Sequence, residues 1–171
     1  MSASELMARM AEHVVSASPG DTLVALGLGS CIGLTLIDRA SGVAGLAHVV
    51  LPTGSPQPGD KPAKWGTSAV PALIADMRVA GSRGLRLEAV LVGGASMFAG
   101  AAGGLEVGQR NEAAVREALR ARRIPVVAHA TGGGRGRTVR VAVGPGRVSV
   151  REAGGTDVVL WPAPAAARGR A

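Results

Sequence analysis

A chain of 171 residues with a formal charge of +7 and one cysteine has the length of a single domain, and it can close no internal disulfide and build no cysteine-based zinc site. Its only aromatic residues, Trp65, Phe98 and Trp161, leave a core of Val, Leu, Ile and Ala and few rings on which single-stranded bases could stack. The uncharged stretches, such as 89–105, are broken by glycines and make poor membrane spans; no basic start followed by an apolar run marks a signal peptide, so a soluble, cytoplasmic protein is expected.

In chain order, residues 4–12 carry a weak helical pattern, with Leu6 and Met10 four apart, and residues 1–12 are expected to be a flexible leader. Residues 13–17 predict a first strand, and Ser18-Pro19-Gly20-Asp21 is a turn sequence. Residues 22–26 predict a strand that runs into a glycine elbow, Gly27-Leu28-Gly29-Ser30, ending at Cys31. The branched apolar run 32–37 predicts a buried strand, and 43–51 predicts its hairpin partner, carrying His48. With the turn centred near Ala40, Cys31 pairs with about residue 49, and His48 falls one position off register.

Residues 52–64 contain four prolines and two glycines and predict an irregular loop, either a wall of a site that includes His48 or a solvated surface. Val70, Leu73, Ile74 and Met77 predict a helix over 65–80 that Gly81 ends. A strand over 85–92 leads into Gly93-Gly94, whose surroundings match no phosphate-binding fingerprint and imply close backbone packing. Val107, Val115 and Leu119 mark a second helix over 106–122. Residues 125–129 predict a strand, and 132–137 a mobile basic loop. A hairpin over 138–143 and 147–152 turns at Gly144-Pro145-Gly146. A short strand over 158–161 precedes a low-complexity tail, 162–171, expected to be disordered. Strands early and late with two helices between them predict an α/β (α+β) fold of packed mixed β-sheets flanked by two main helices, one domain over 13–161.

Charge is uneven along the chain. Residues 1–109 hold 7 basic and 8 acidic side chains, whereas residues 110–171 hold 12 basic and 4 acidic ones, all 12 of them arginine. Arginine suits bidentate recognition of carboxylate or phosphate. The excess is compatible with a nucleic-acid face, a surface that docks on an acidic protein, or a genome that encodes arginine where lysine would serve.

Cys31 and His48 also admit two readings. A cysteine and a histidine brought to one end of a hairpin can form a nucleophile and base. Equally, a free cysteine is a small buried hydrophobe and a histidine can be a satisfied core residue.

Six segments carry a resemblance: LGLGSC at 26–31, GLAHVVLP at 45–52, KPAKW at 61–65, GGASMF at 93–98, VGQRN at 107–111 and TGGGRGR at 131–137. In this order, with the Cys-to-His spacing kept, they resemble the CheD chemoreceptor glutamine deamidases over residues 14–152. The resemblance implies a fold related to the catalytic domain of cytotoxic necrotizing factor. It also implies a thiol amidohydrolase acting on glutamines of the cytoplasmic helices of methyl-accepting chemotaxis proteins. Cys31 is then the nucleophile, His48 the base, and the backbone around Gly29 and Ser30 the oxyanion and substrate contact; no cofactor, metal, nucleic acid or membrane insertion is called for. A CheC-type phosphatase is a possible partner, and a non-catalytic receptor- or CheC-binding regulatory module is the alternative.

Two positions depart from the family pattern. Ala25 stands where the family carries the threonine counted as third catalytic member, so its backbone carbonyl is expected to orient the imidazole, a hydroxyl-based alternative being Thr22 or Thr35. Ala130 stands where an aspartate precedes the glycine-rich loop. His13 and His129 lie in no matching segment and are expected to be surface or structural residues.

Overall fold

The computed structural model describes residues 2–96 and 104–162, with residues 104–106 as backbone only. Among them the chain forms β1 (Glu5–Met7), β2 (His13–Ser16), β3 (Thr22–Leu28), β4 (Ile32–Asp38), β5 (Ala44–Val49), α1 (Gly66–Val79), β6 (Leu87–Gly93), α2 (Gly104–Ala121), β7 (Val126–Thr131), β8 (Arg137–Ala142), β9 (Arg147–Glu152) and β10 (Val158–Trp161). The strands assemble into two five-stranded sheets, ordered β1-β3-β8-β9-β10 and β2-β5-β4-β6-β7. Each sheet is mixed, because β1 runs parallel to β3 and β7 parallel to β6 while the other pairs are antiparallel.

Two apolar layers hold this together. Between the sheets, Leu23, Ala25, Leu28, Val139 and Val141 meet Ile37, Leu46, Val90 and Val92. On the other face of the second sheet, Ile32, Leu34, Leu36, Ala47 and Leu91 meet Leu73 and Met77 of α1 and Val115 and Leu119 of α2. Strand β4 lies at the centre with a layer on each face, so every one of its residues is buried, which is why it reads as an unbroken apolar run. Strand β8 has one covered face and alternates instead, with Arg137, Val139 and Val141 buried and their neighbours half-exposed. The expected architecture of mixed sheets and two main helices is therefore present, with both helices on one outer face.

Three expectations need correction. Residues 2–12 contain no helix: Glu5, Leu6 and Met7 pair with Thr22, Leu23 and Val24, and Ala8 is fully buried with its N–H donating to the Val24 carbonyl at 2.8 Å. A three-residue strand is too short to show a period of two, and the Leu6–Met10 spacing that imitates a helix pairs a half-buried residue with an exposed one. The hairpin register also shifts by one residue. Its loop is closed by Asp38 N–H to Val43 O and Gly42 N–H to Asp38 O, which centres it between Ala40 and Ser41, so that Ile32 pairs with Val49 and Gly33 with His48. The expected mobile loop at 132–137, finally, is tied at its end by Arg137, buried and bonded to the carbonyls of Gly93 at 3.3 Å and Gly132 at 2.8 Å. Of the tail expected to be disordered, residues 163–171 lie outside the described residues.

The β4–β5 turn is held by Asp38, whose carboxylate accepts from Ser82 Oγ at 2.6 Å and from the Ala40 N–H at 3.0 Å. Burial works against its charge, but the bonds from Ser82, Ser41 and Ala40 outweigh it and hold the carboxyl below its ordinary value. A depressed carboxyl stabilises the fold above the unfolded-state value of about 3.9, and that contribution disappears as pH falls through the lower folded value. Asp38→Ala is expected to cost about 2 kcal/mol in urea unfolding at neutral pH. The gap to the parent protein should narrow in the same measurement as pH drops below about 4.

Candidate active site

The register of β4 against β5 decides where Cys31 and His48 stand. Because Gly33 pairs with His48 and side chains two apart on a strand share a face, Cys31, one pair beyond, points to the same side of the sheet as His48. That side is the layer between the sheets, where Cys31 packs half-buried against the apolar cluster. The pair is a diagonal one, with a separation of roughly 7 Å that an imidazole can reach across. The register expected from the sequence would have put the two on opposite faces; one residue of slip reverses this. Between them, Gly33 lets β3 and β8 close down on β4, for a Cβ there would fall 2.9 Å from Leu28 Cδ1 and 3.1 Å from Val139 Cγ1.

His48 is 3% exposed and is gripped by the segment 8–12, which crosses from β1 in one sheet to β2 in the other. The Ala11 N–H donates to the His48 carbonyl at 3.0 Å and the His48 N–H to the Glu12 carbonyl at 2.9 Å. Its ring Nδ1 lies 3.1 Å from the Ala8 carbonyl. A carbonyl can only accept, so Nδ1 carries the proton and Nε2 keeps its lone pair. Nε2 is buried and has no hydrogen-bond partner among the described residues. The orienting acceptor is thus Ala8, which corrects the expectation for Ala25: Ala25 is fully buried on β3 opposite Val139. Nor does a hydroxyl take the role, since Thr35 Oγ1 is itself buried without a partner and Thr22 opens β3 at its far end.

The chain around Cys31 is clipped from three directions. Gly94 N–H donates to the Cys31 carbonyl at 2.9 Å and Ala95 N–H to the Gly29 carbonyl at 2.8 Å. Gly93, with φ 114°, allows this approach, for a Cβ there would sit 2.1 Å from the Cys31 oxygen. Asn111 of α2, fully buried, donates through Nδ2 to Ser30 O at 2.9 Å and to Val50 O at 3.0 Å. One amide therefore ties the residue before the thiol to the residue that follows β5. Gly108, one turn earlier on α2, brings the helix onto the Gly94 and Ala95 carbonyls, where a Cβ would fall 2.6 Å and 3.0 Å from them. Among the described residues, no turn or loop carbonyl accepts from the N–H groups of Ser30 or Cys31.

Burial pushes the Cys31 thiol above its ordinary value, and its own N–H only partly compensates. Burial likewise pulls His48 below the ordinary imidazole value, against the opposing Ala8 carbonyl and Glu12 charge. Both groups rest neutral at pH 7, a thiol and a proton acceptor on one face of the sheet rather than a preformed thiolate–imidazolium pair. Exposed Met10, Leu26 and Leu51 lie on the segments that hold the two residues, the 8–12 crossing, the end of β3 and the exit of β5. No group of three His, Cys, Asp or Glu side chains suited to a metal ion occurs among the described residues.

Other expectations find simple places. His13 pairs with Asp76 at 2.5 Å and His129 with Thr131 at 3.2 Å, both apart from Cys31. Ala130 is half-buried opposite Val92, and the loop it precedes is held instead by Thr131 Oγ1 to Glu112 at 2.9 Å and by Arg137. Met97 and Phe98 of the GGASMF segment lie outside the described residues. Sequence reasoning missed Ala8 and Asn111. Nothing local marks Ala8, whereas Asn111 does leave a trace: it interrupts the stripe Val107, Val115, Leu119 at helical spacing, where a polar residue must find a buried partner.

The chain is similar to known proteins over most of its length. Residues 50–152 match the CheD family, described as CheD chemotactic sensory transduction. The chain is 38% identical over 146 residues to a chemoreceptor glutamine deamidase CheD of Thermotoga maritima, covering 85% of this chain and 90% of that protein. It is 40% identical over 154 residues to a probable chemoreceptor glutamine deamidase CheD of Moorella thermoacetica, covering 88% and 92%. A probable chemoreceptor glutamine deamidase CheD of Thermococcus kodakarensis is 41% identical over 135 residues, covering 78% and 84%.

A neutral thiol has a characteristic reactivity. Iodoacetamide labelling of Cys31 should accelerate steadily as pH rises past about 8.5, with no plateau at acidic pH of the kind a preformed ion pair gives. Asn111→Ala should cost about 2 kcal/mol in denaturant unfolding, because two buried carbonyls lose their donor. Asn111→Asp, although closer in shape, should cost more, since a carboxylate repels both oxygens.

Proposed function

Since the chain belongs to the CheD family, we propose that it is an amidohydrolase that converts glutamine side chains of chemoreceptors to glutamate, with Cys31 as nucleophile and His48 as base. The observation that carries this reading is the His48 Nδ1 to Ala8 contact at 3.1 Å, which leaves Nε2 unprotonated and unpartnered on the face that Cys31 shares.

In this mechanism His48 Nε2 takes the thiol proton as Sγ attacks the glutamine Cδ, and the amide oxygen becomes an oxyanion. The N–H groups of Ser30 and Cys31, at the end of the elbow that begins Gly27-Leu28-Gly29, receive that charge. The tetrahedral adduct collapses when His48 returns the proton to the nitrogen, releasing ammonia and leaving a thioester. Water then gives its proton to the same Nε2 and its oxygen to the acyl carbon, which frees the glutamate carboxylate and restores the thiol. A small backbone correction closes the gap between ring and sulfur as substrate enters, as apo catalytic contacts commonly tighten on binding. Met10, Leu26 and Leu51, each exposed on a segment that holds Cys31 or His48, supply apolar surface for a receptor helix. The substrate is the cytoplasmic helical region of a methyl-accepting chemotaxis protein, and the reaction turns a neutral side chain into a charged one there.

Intact-mass analysis of a receptor cytoplasmic fragment tests this. The parent protein should add about 1 Da per glutamine hydrolysed, with ammonia released in equal amount, and Cys31→Ala should abolish both. Deleting residues 2–8, which removes the acceptor for Nδ1, should lower the rate by about 10²-fold or more while Cys31 remains open to alkylation. Deamidation by Cys31→Ala would end the proposal, and receptor binding by the parent protein with no mass change would leave a docking module in its place.

A further inference from the structure

The arginine excess has a location. Three hollows meet around residues 81–87, at the end of the sandwich opposite Cys31. The largest, about 640 Å3, is lined by Arg39, Arg86, Arg122 and Arg123 over a floor of Leu87 and Ile124. A second, about 420 Å3, shares Ala40, Leu85 and Arg86 with it and adds Arg83. The third, about 380 Å3, shares Gly84, Leu87, Arg122 and Ile124 with the first and adds Arg78. Strand β4 runs from beside Cys31 at Ile32 to Asp38 at this rim, a length of about 20 Å.

Six arginines thus converge on one concave end, Arg78 from the last turn of α1, Arg83 and Arg86 from the loop before β6, Arg122 and Arg123 from just beyond α2 and Arg39 from the β4–β5 turn, groups distant in sequence. The acids at hand are already engaged. Asp38 takes the bonds of its own turn and of Ser82. Glu88 Oε2 accepts both Arg39 Nε at 2.9 Å and Trp161 Nε1 at 3.0 Å. Among the described residues no carboxylate pairs with Arg78, Arg83, Arg86, Arg122 or Arg123. Of these, only Arg122 makes a side-chain hydrogen bond among the described residues, to the Ala118 carbonyl at 3.3 Å. Like charges crowded in this way repel one another, and a complementary anion relieves the repulsion. Leu85, 80% exposed, lines two of the hollows, and Val79, 89% exposed, follows Arg78 at the end of α1; these are the two most exposed large apolar side chains among the described residues.

We propose that this end is a docking surface for an acidic protein segment whose carboxylates enter the arginine-lined hollows while an apolar side chain covers Leu85. Three adjoining hollows around an apolar knob fit a length of polypeptide better than one small anion. The guanidinium groups suit carboxylates bidentately, and the exposed leucine and valine would gain nothing from a free phosphate. A nucleic acid is disfavoured because the only ring near the rim, Trp161, is occupied by Arg39 at 5.8 Å and by Glu88, leaving no platform for a base. Docking here leaves the Cys31 end uncovered, so a partner held at this surface and a substrate at the other can be bound together. The surface does not depend on the chemistry at Cys31.

Fluorescence anisotropy on the full chain tests it, with a labelled Glu/Leu-rich peptide, the same peptide with Gln for every Glu, and a single-stranded RNA as probes. The acidic peptide should bind, weaken as salt rises, and lose about tenfold or more in affinity for the Arg86→Glu, Arg123→Glu double variant. Leu85→Ser should weaken it further at high salt. The double variant Arg135→Glu, Arg151→Glu makes the same change of net charge elsewhere and should shift affinity by less than about twofold. Equal losses in both double variants would show attraction by net charge alone and overturn the proposal. So would tighter binding of the RNA through the same arginines, or no binding of the acidic peptide by a parent protein whose melting temperature the variants share.

Discussion

The hydrogen bond between His48 Nδ1 and the Ala8 carbonyl governs the character of the site. A neutral imidazole has one donor and one acceptor, and committing the donor to a backbone oxygen leaves Nε2 as the acceptor. A carboxylate in the place of Ala8 would fix the same tautomer but would also add a full negative charge and raise the ring's proton affinity. With a carbonyl the added field is small, burial prevails, and His48 stays neutral. The bond depends on the chain's first strand: β1 pairs with β3, Ala8 follows it into the core, and residues 8–12 then carry the chain across the sandwich to β2 beside β5. The segment that holds the ring is also the segment that joins the two sheets at this end.

On the sulfur side the constraint is on backbone rather than side chain. The stretch from Gly29 to Cys31 has no regular structure of its own, yet its carbonyls are taken up one after another by Ala95, Asn111 and Gly94. Two glycines, Gly93 and Gly108, make these approaches possible by leaving out the Cβ atoms that would collide. With their carbonyls engaged, the peptide units that carry the N–H groups of Ser30 and Cys31 are held in a fixed orientation. Asn111 is the only one of these partners that acts through its side chain, and the two hydrogen bonds its Nδ2 donates to the Ser30 and Val50 carbonyls link α2, the elbow and the exit of β5.

The sandwich gives the molecule two functional ends. At one, the strands converge on a half-buried thiol and a neutral ring. At the other, the end of α1, the loop before β6 and the end of α2 gather arginines with no carboxylate partner among the described residues, beside Arg39 of the β4–β5 turn, which Glu88 holds. Since β4 is rigidly packed on both faces, the two ends keep a constant separation, and a partner on one has no steric conflict with a substrate on the other.

Much of the fold was legible in the sequence, because hydrophobic period is set by burial on one or two faces. The run 32–37 showed a strand buried on both sides, the 138–152 region showed a hairpin by its Gly-Pro-Gly turn, and two helices showed their apolar stripes. The residue types of the site were legible too: a single cysteine behind a glycine elbow, and a histidine in the next strand. What the sequence could not specify was register and long-range pairing. A hairpin loop whose centre moves by half a residue changes which face His48 shares, and no local pattern distinguishes the two. The same limit hides Ala8, whose role is played by a carbonyl that every residue possesses, and hides the arginine surface, assembled from segments far apart in the chain. Composition and periodicity therefore determined which groups the protein has and what elements carry them, whereas only tertiary packing, which brings distant backbone atoms within hydrogen-bond range, decided how the ring is held and which charges stand together.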